Sequence, residues 1–298
     1  MPHPKAAGLS GLLTALLTPM DLQGRLLWEY TPLLMDFQRQ AGIDGVVIGG
    51  TNGEGTSLTV TERKQALETA LAHRGEMTII AATGASTLPD TLELTRHAAE
   101  VGADAALVLP PFFFKNPTPE GVAAYFRPVL DSADLPMLLY SIPQQTAVPI
   151  TDAVLELLLD HPNLSGIKDS AGELARTEEL IRNYPHLRIF AGGDRTAAEC
   201  YVAGAAGCIS GGANAFPEIL VGVRDAYFAD KGGPLTTAAQ QRLNMLADIT
   251  MRYPLIAVSK SVLAHRGIPR LGVRPPLVNL TSAQEESLLT ELRTAHFL

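Results

Sequence analysis

Apolar residues along this chain gather in short runs that alternate with amphipathic segments. Runs rich in Val, Ile, Leu and Ala recur as "LLTALLT" from Leu12, "GVVIGG" from Gly45, "TIIAATG" from Thr78 and "AALVLP" from Ala105. They continue as "PMLLYSIP" from Pro136, "LSGIKDS" from Leu164, "RIFAGG" from Arg188 and "GCISGG" from Gly207. Between them lie stretches of helical period, such as residues 61–75, 90–102 and 152–162, often closing on Gly or Pro. Strands without polar alternation are buried on both faces, so the pattern predicts a parallel sheet covered by helices. Eight such units, spaced by roughly 20 to 35 residues, predict a closed (β/α)8 TIM barrel. From about Pro234 the period is helical in three further pieces, read as a C-terminal helical appendage. The expected division is residues 1–233 for the barrel and 234–298 for a helical region packed on it.

Composition narrows the function without changing this picture. The 298 residues are 46% hydrophobic and 18% charged, with 26 glycines and 21 prolines spread along the chain, as in an ordered, turn-rich globular protein. Net charge is −8 with no basic cluster, which argues against a nucleic-acid or anionic-membrane surface while leaving a small acidic substrate open. Cys200 and Cys208 have no matching His or Cys pair nearby and read as two buried thiols. The N-terminal segment lacks the pattern of a secretory signal, and nowhere do about 18 apolar residues run together. A soluble cytoplasmic protein is the expectation.

A barrel directs attention to the C-terminal ends of its strands. After the second strand, "GGTNGEGTSLT" is glycine-rich but fits neither G-x-G-x-x-G nor a Walker lysine motif. Its glycines, with Gly50 among them, let backbone N–H groups and the Thr51 hydroxyl approach an oxygen-bearing ligand. Thr59 and Glu62 form a capping box, and Glu54 reads as a structural carboxylate. The seventh and eighth strands end in "AGGDR" and "SGGAN", whose glycines either ease packing at a crowded rim or leave room for a ligand. On the second reading Asp194 and Arg195 point toward the ligand's far end. No His, Asp and Glu set has metal-ligand spacing.

The sixth strand brings a lysine, Lys168, to the edge of an apolar interior. Its neighbour Asp169 faces the opposite way on an extended strand and is no simple partner. A free amine of ordinary pKa near 10.4 is neutral in only about one molecule in two thousand at pH 7, whereas a drop of roughly three units makes half of them nucleophilic. Such an amine can form a Schiff base with a ketone. Tyr140, ending the fifth strand, is either an amphipathic plug or the proton shuttle for that chemistry.

With Lys168, Tyr140 and "GGTNGEG" together, the sequence resembles the dihydrodipicolinate synthase / N-acetylneuraminate lyase family of pyruvate-dependent class I aldolases, from about Leu12 through the C-terminal helices. The resemblance implies that Lys168 forms a Schiff base with pyruvate or another 2-oxo acid, without metal or other cofactor, and that Tyr140 relays the proton. It implies that Thr51 and Asn52 hold the pyruvyl carboxylate, that Gly192 and Ile209 line the pocket through backbone groups, and that the protein is a homotetramer. Where synthases of the family carry an arginine for the second substrate's carboxylate, this chain has Gln145, and an amide cannot replace a bidentate guanidinium. The tyrosine that the family sends into the relay from a neighbouring subunit falls in "PPFFFKNP", where Phe112, Phe113 and Phe114 carry no hydroxyl. Asn52, "YSIP" and "IKDSAGE" are similar to 4-hydroxy-2-oxoglutarate and 2-keto-3-deoxy-sugar-acid aldolases, with Ser170 at the position that contacts the substrate's hydroxyl end.

The expected activity is therefore cleavage of a 4-hydroxy-2-oxo acid to pyruvate and an aldehyde. Three other readings stay open: a synthase-like condensation of pyruvate with aspartate semialdehyde, a barrel that binds 2-oxo acids without efficient catalysis, and a nicotinamide-dependent oxidoreductase. The missing dinucleotide fingerprint argues against the last.

Overall fold

The computed structural model describes residues 3–298. Its centre is a closed parallel barrel in the order β1 to β8, formed by Gly11–Ala15, Gly45–Ile48, Thr78–Ala82, Ala105–Val108, Met137–Ser141, Leu164–Asp169, Arg188–Ala191 and Gly207–Ser210. Each of these strands lies within or overlaps one of the eight apolar runs. The helices around them are α1 Thr31–Gln40, α2 Val60–Ala72, α3 Leu88–Glu100, α4 Pro119–Asp131, α5 Pro143–Thr146, α6 Asp152–Glu156, α7 Leu174–Asn183, α8 Ala197–Ala203 and α9 Pro217–Asp230. Three more follow, α10 Pro234–Thr250, α11 Leu255–His265 and α12 Ser282–Thr294. The fold is a (β/α)8 TIM barrel carrying further C-terminal helices.

The strands are apolar throughout because they bury two faces. Leu13, Val47, Ile80, Leu107, Leu138, Phe190 and Ile209 fill the barrel interior. Leu12, Val46, Ile79, Ala106, Leu139 and Ile167 face the helices in a larger cluster that continues to Leu243, Val258 and Leu288 of the C-terminal helices. The Leu, Ile, Val and Phe side chains among these contribute about 1.5–3 kcal/mol each when fully buried.

Threonine starts several helices by accepting an N–H in the first turn: Thr59 for α2, Thr87 for α3, Thr118 for α4, Thr151 for α6 and Thr281 for α12. At Thr59 the capping box with Glu62 is complete in both directions. The helical stretch expected over 152–162 is shorter than its pattern. Helix α6 stops at Glu156, and the N–H of Leu158 turns back to the carbonyl of Leu155, which keeps Leu158 buried.

The C-terminal helices brace the turns at the C-terminal ends of the barrel strands. Gln240 on α10 donates to the carbonyls of Asp194 and Arg195, 3.0 Å each, fixing the turn after β7. Lys260 on α11 is buried and donates to Glu54 at 2.5 Å and to the carbonyl of Gly272 at 2.6 Å, pinning the turn after β2. Among the described residues no helix is long and apolar enough to cross a membrane.

Candidate active site

A single extra residue in β6 decides where Lys168 points. Met137 pairs with Leu164, but the next pair is Leu138 with Gly166, so Ser165 is bulged out of register. Side chains alternate along a strand, so without the bulge Lys168 would share the outward parity of Leu164 and face the helices. With it, Lys168 pairs with Tyr140 on one side and Phe190 on the other and points inward. Asp169 faces outward, accepting the Ala171 N–H at 3.1 Å and the Thr177 hydroxyl at 2.8 Å.

Lys168 is 4% exposed, and its Nζ stands 4.3 Å from the centroid of the Tyr140 ring. No carboxylate forms an ion pair with it among the described residues. The Tyr140 hydroxyl meets Thr51 Oγ1 at 3.4 Å, joining the ends of β2, β5 and β6. Burial raises the Tyr140 pKa, but the charge on Lys168 and the polar groups of Thr51, Ser170 and Lys168 outweigh it, and the phenol ends below its ordinary 10.0.

The turn after β2 is held by backbone packed on backbone. A β-carbon at Gly55 would fall 1.8 Å from the carbonyl oxygen of Gly49, so only glycine fits, and Gly55 N–H bonds the carbonyl of Gly50 at 3.0 Å. Glu54 in this turn has φ of 55° and is 3% exposed; it accepts the Arg274 N–H at 2.8 Å besides the Lys260 ammonium. It is a structural carboxylate, as its place in the sequence suggests, with a buried cation as partner.

A cavity of about 210 Å³ opens beside this cluster, lined among others by Gly50, Thr51, Tyr140, Gln145, Phe112 and Arg63. At the same barrel mouth, Ser170 packs against Gly192, where a β-carbon would lie 1.8 Å from Ser170 Oγ, and that hydroxyl is buried without a well-aligned partner. Asn52 leans on Gly211, whose β-carbon would lie 2.7 Å from Nδ2. Asp194 packs over Gly212, accepting its N–H at 3.1 Å through Oδ2, while Oδ1 is buried without a partner. Burial raises the Asp194 pKa, against the pull of Ser210, the Gly212 N–H and the charge on Lys168. Ile209 is fully buried on β8 in the interior cluster.

Two candidates lie apart from this cluster. Arg195 is exposed and bound to Asp248 on α10 at 2.6 Å, and it is not among the residues lining the cavity. A guanidinium at the rim takes the nearest carboxylate, and α10 supplies one. Phe113 is 75% exposed and stacks edge-to-face on exposed Phe114, with ring centroids 5.4 Å apart, so within its own chain it reaches no part of the cavity. Sequence reasoning passed over Arg63 altogether, because in "TERKQ" it looks like part of a solvated helix face. Cys200 and Cys208 are free and buried. Among the described residues no group of three or more His, Cys, Asp or Glu side chains is placed to hold a metal ion.

Comparison with known proteins agrees with this geometry. The model of the dihydrodipicolinate synthetase family matches residues 8–295. An uncharacterized DapA-like lyase of Chloroflexus aurantiacus is 40% identical over 284 residues, spanning 93% of this chain and 94% of that protein. A 4-hydroxy-tetrahydrodipicolinate synthase of Pseudomonas putida W619 is 31% identical over 292 residues, 97% of this chain and 99% of its own. Among solved structures, the Escherichia coli K12 prophage protein YagE, in complex with pyruvate, superposes with a TM-score of 0.91 at 27% identity, covering 97% of this chain and 99% of YagE. A buried lysine in register with a tyrosine at the mouth of a parallel barrel and a family match across nearly the whole chain lead to one conclusion: this protein belongs to the dihydrodipicolinate synthetase family of class I lyases and aldolases.

Proposed function

We propose that the protein cleaves a 4-hydroxy-2-oxo acid, of the 4-hydroxy-2-oxoglutarate or 2-keto-3-deoxy-sugar-acid type, to pyruvate and an aldehyde. The observation that carries this reading is Lys168, a buried amine that forms no ion pair with a carboxylate among the described residues and is set 4.3 Å from the ring of Tyr140. In the neutral form its lone pair attacks the C2 ketone, and loss of water leaves an iminium on Nζ. The iminium draws electrons as the proton leaves the C4 hydroxyl and the C3–C4 bond breaks, releasing the aldehyde and leaving an enamine. Protonation at C3 and hydrolysis give pyruvate and restore the amine. Tyr140, with Thr51 at its hydroxyl, relays protons in these steps. Thr51, Asn52 and Gly50 receive the substrate carboxylate, while Ser170, Asp194 and the Gly192 and Ile209 backbone face the hydroxyl-bearing end.

A second reading, condensation of pyruvate with aspartate semialdehyde, draws support from the likeness to the Pseudomonas putida synthase. Gln145 on the cavity wall weighs against it, since an amide offers no charge to a second carboxylate. We also infer a cytoplasmic homotetramer in which exposed Phe113 is buried against a neighbouring subunit.

Intact-mass measurement after incubation with pyruvate and borohydride tests the chemistry. One reduced pyruvyl adduct per chain, mapped to Lys168, is the expected result. Binding of pyruvate without a trappable adduct would replace this reading with that of a 2-oxo-acid binding protein.

A further inference from the structure

Among the described residues, one cation in the cavity wall has no carboxylate paired with it. Arg63, on the first turn of α2, is 8% exposed. Its two Nη groups donate to the carbonyls of Gly84 at 3.1 Å and Ala82 at 2.5 Å, and its buried Nε finds no acceptor. No carboxylate pairs with it among the described residues; half-buried Asp90 and the Tyr125 phenol act on it only at longer range. Burial brings its pKa down to about 10.

Two carbonyl bonds do not account for a full buried charge. Taking a guanidinium out of water costs several kcal/mol, and neutral carbonyls return only part of it. A neutral amide donor could cap a carbonyl without that cost. The position of Arg63 supplies another reason for the charge. It lines the same cavity as Thr51, Tyr140 and Gln145. It also stands directly behind the turn after β2, because a β-carbon at Gly49 would lie 3.8 Å from Nε. The other buried charge of that turn, Glu54, is already balanced by Lys260. The turn therefore presents the cavity with one uncompensated positive charge, seated behind its glycines.

We propose that Arg63 is the counter-charge for a carboxylate received by the Gly49–Gly55 turn, and so makes the site select 2-oxo acids over neutral ketones. The inference rests on the Schiff-base reading of the same site and names a positioning residue for it. Arg63 need not touch the carboxylate, since in a buried setting a charge acts across several ångströms with little screening.

The test compares the concentration dependence of the borohydride-trapped adduct for pyruvate and for its neutral ester, methyl pyruvate. In the wild type, pyruvate should half-saturate at a concentration lower by about ten-fold or more, the size of a modest buried charge interaction. Arg63→Gln should raise the pyruvate value by about ten-fold and leave the ester unchanged. Equal weakening of both ketones, or an unchanged pyruvate value in Arg63→Gln, would overturn the proposal while leaving the Schiff base intact. No adduct with either ketone in the wild type would end the Schiff-base reading and this one with it. Should Arg63→Gln not fold, the wild type decides: acetate, which cannot form an imine, should displace pyruvate where acetamide does not, and failure of acetate to compete would overturn the proposal.

Discussion

Lys168 and Tyr140 occupy paired positions across the β5–β6 boundary, with Nζ 4.3 Å from the ring centroid, and that pairing exists because Ser165 is bulged out of β6. The lysine is thus buried against an aromatic face rather than a carboxylate. A buried amine without a carboxylate lowers stability, and such a group persists where it serves a reaction. Lys168→Met, similar in volume and free of charge, should abolish pyruvate trapping and lower turnover by at least about a thousand-fold. Stability in urea should stay equal or rise by about 1 kcal/mol. A loss greater than about 2 kcal/mol would instead make Lys168 a structural element of the barrel.

Tyr140 should be the easiest tyrosine to ionise. Burial opposes its ionisation, but the charge on Lys168 and the polar groups at its hydroxyl bring it below 10.0, whereas Tyr125, Tyr184 and Tyr201 are all pushed upward, first of all by burial. A phenol with a depressed folded pKa binds fewer protons in the folded state, so stability relative to Tyr140→Phe should rise with pH up to the unfolded value near 10. It should fall away as pH drops through the lowered folded value. A near-ultraviolet phenolate titration checks this directly: the earliest transition should vanish in Tyr140→Phe and move upward in Lys168→Met. An earliest transition unaffected by either substitution would contradict the assignment.

The Glu54–Lys260 pair, 206 residues apart and both nearly inaccessible, ties the turn after β2 to α11. Removing one partner leaves a buried charge, so Lys260→Met should cost about 3–5 kcal/mol. Pairing it with Glu54→Gln should recover part of that loss, because the neutral amide can still accept the Arg274 N–H. Denaturant unfolding of the two single variants and the double variant measures the coupling. Additive losses would show that the two side chains act independently.

The barrel was legible because its strands are buried on two faces, which writes each as an unbroken apolar run, and because Thr59 and Glu62 mark a helix start locally. Lys168 and Tyr140 stood out as polar groups at the ends of such runs. What escaped was long-range. Lys260 sits in a segment that reads as an ordinary amphipathic helix, and nothing in its neighbours points to Glu54. Arg63 looked solvated because "TERKQ" is polar, yet it turns inward beneath the carbonyls of Ala82 and Gly84. The partner of Arg195 was equally out of local reach: its strand-end position suggested a ligand, and the carboxylate that binds its guanidinium here, Asp248, lies far along the chain in α10. Pairings of this kind depend on where the C-terminal helices dock, which local pattern does not encode.

Gly192 should tolerate no side chain, and the reason separates packing from ligand space. An added β-carbon would fall 1.8 Å from Ser170 Oγ, 2.9 Å from its β-carbon and 2.8 Å from the Asp169 carbonyl oxygen. The serine can rotate away, but the carbonyl belongs to the backbone of β6 one residue beyond Lys168, and the Gly192 N–H bonds it at 2.7 Å. Gly192→Ala should therefore push the end of β6 and displace Lys168 from its place over Tyr140, costing about 1–3 kcal/mol in stability as overpacking does. Activity should fall by about a hundred-fold, since a misplacement near 1 Å is enough for that. Adding Ser170→Ala removes the worst contact and leaves the backbone one, so the double variant should regain stability more fully than turnover. Full recovery of turnover in the double variant would mean that Ser170 alone sets the position of the rim, whereas wild-type behaviour of Gly192→Ala would mean that β7 can move away from β6 without cost.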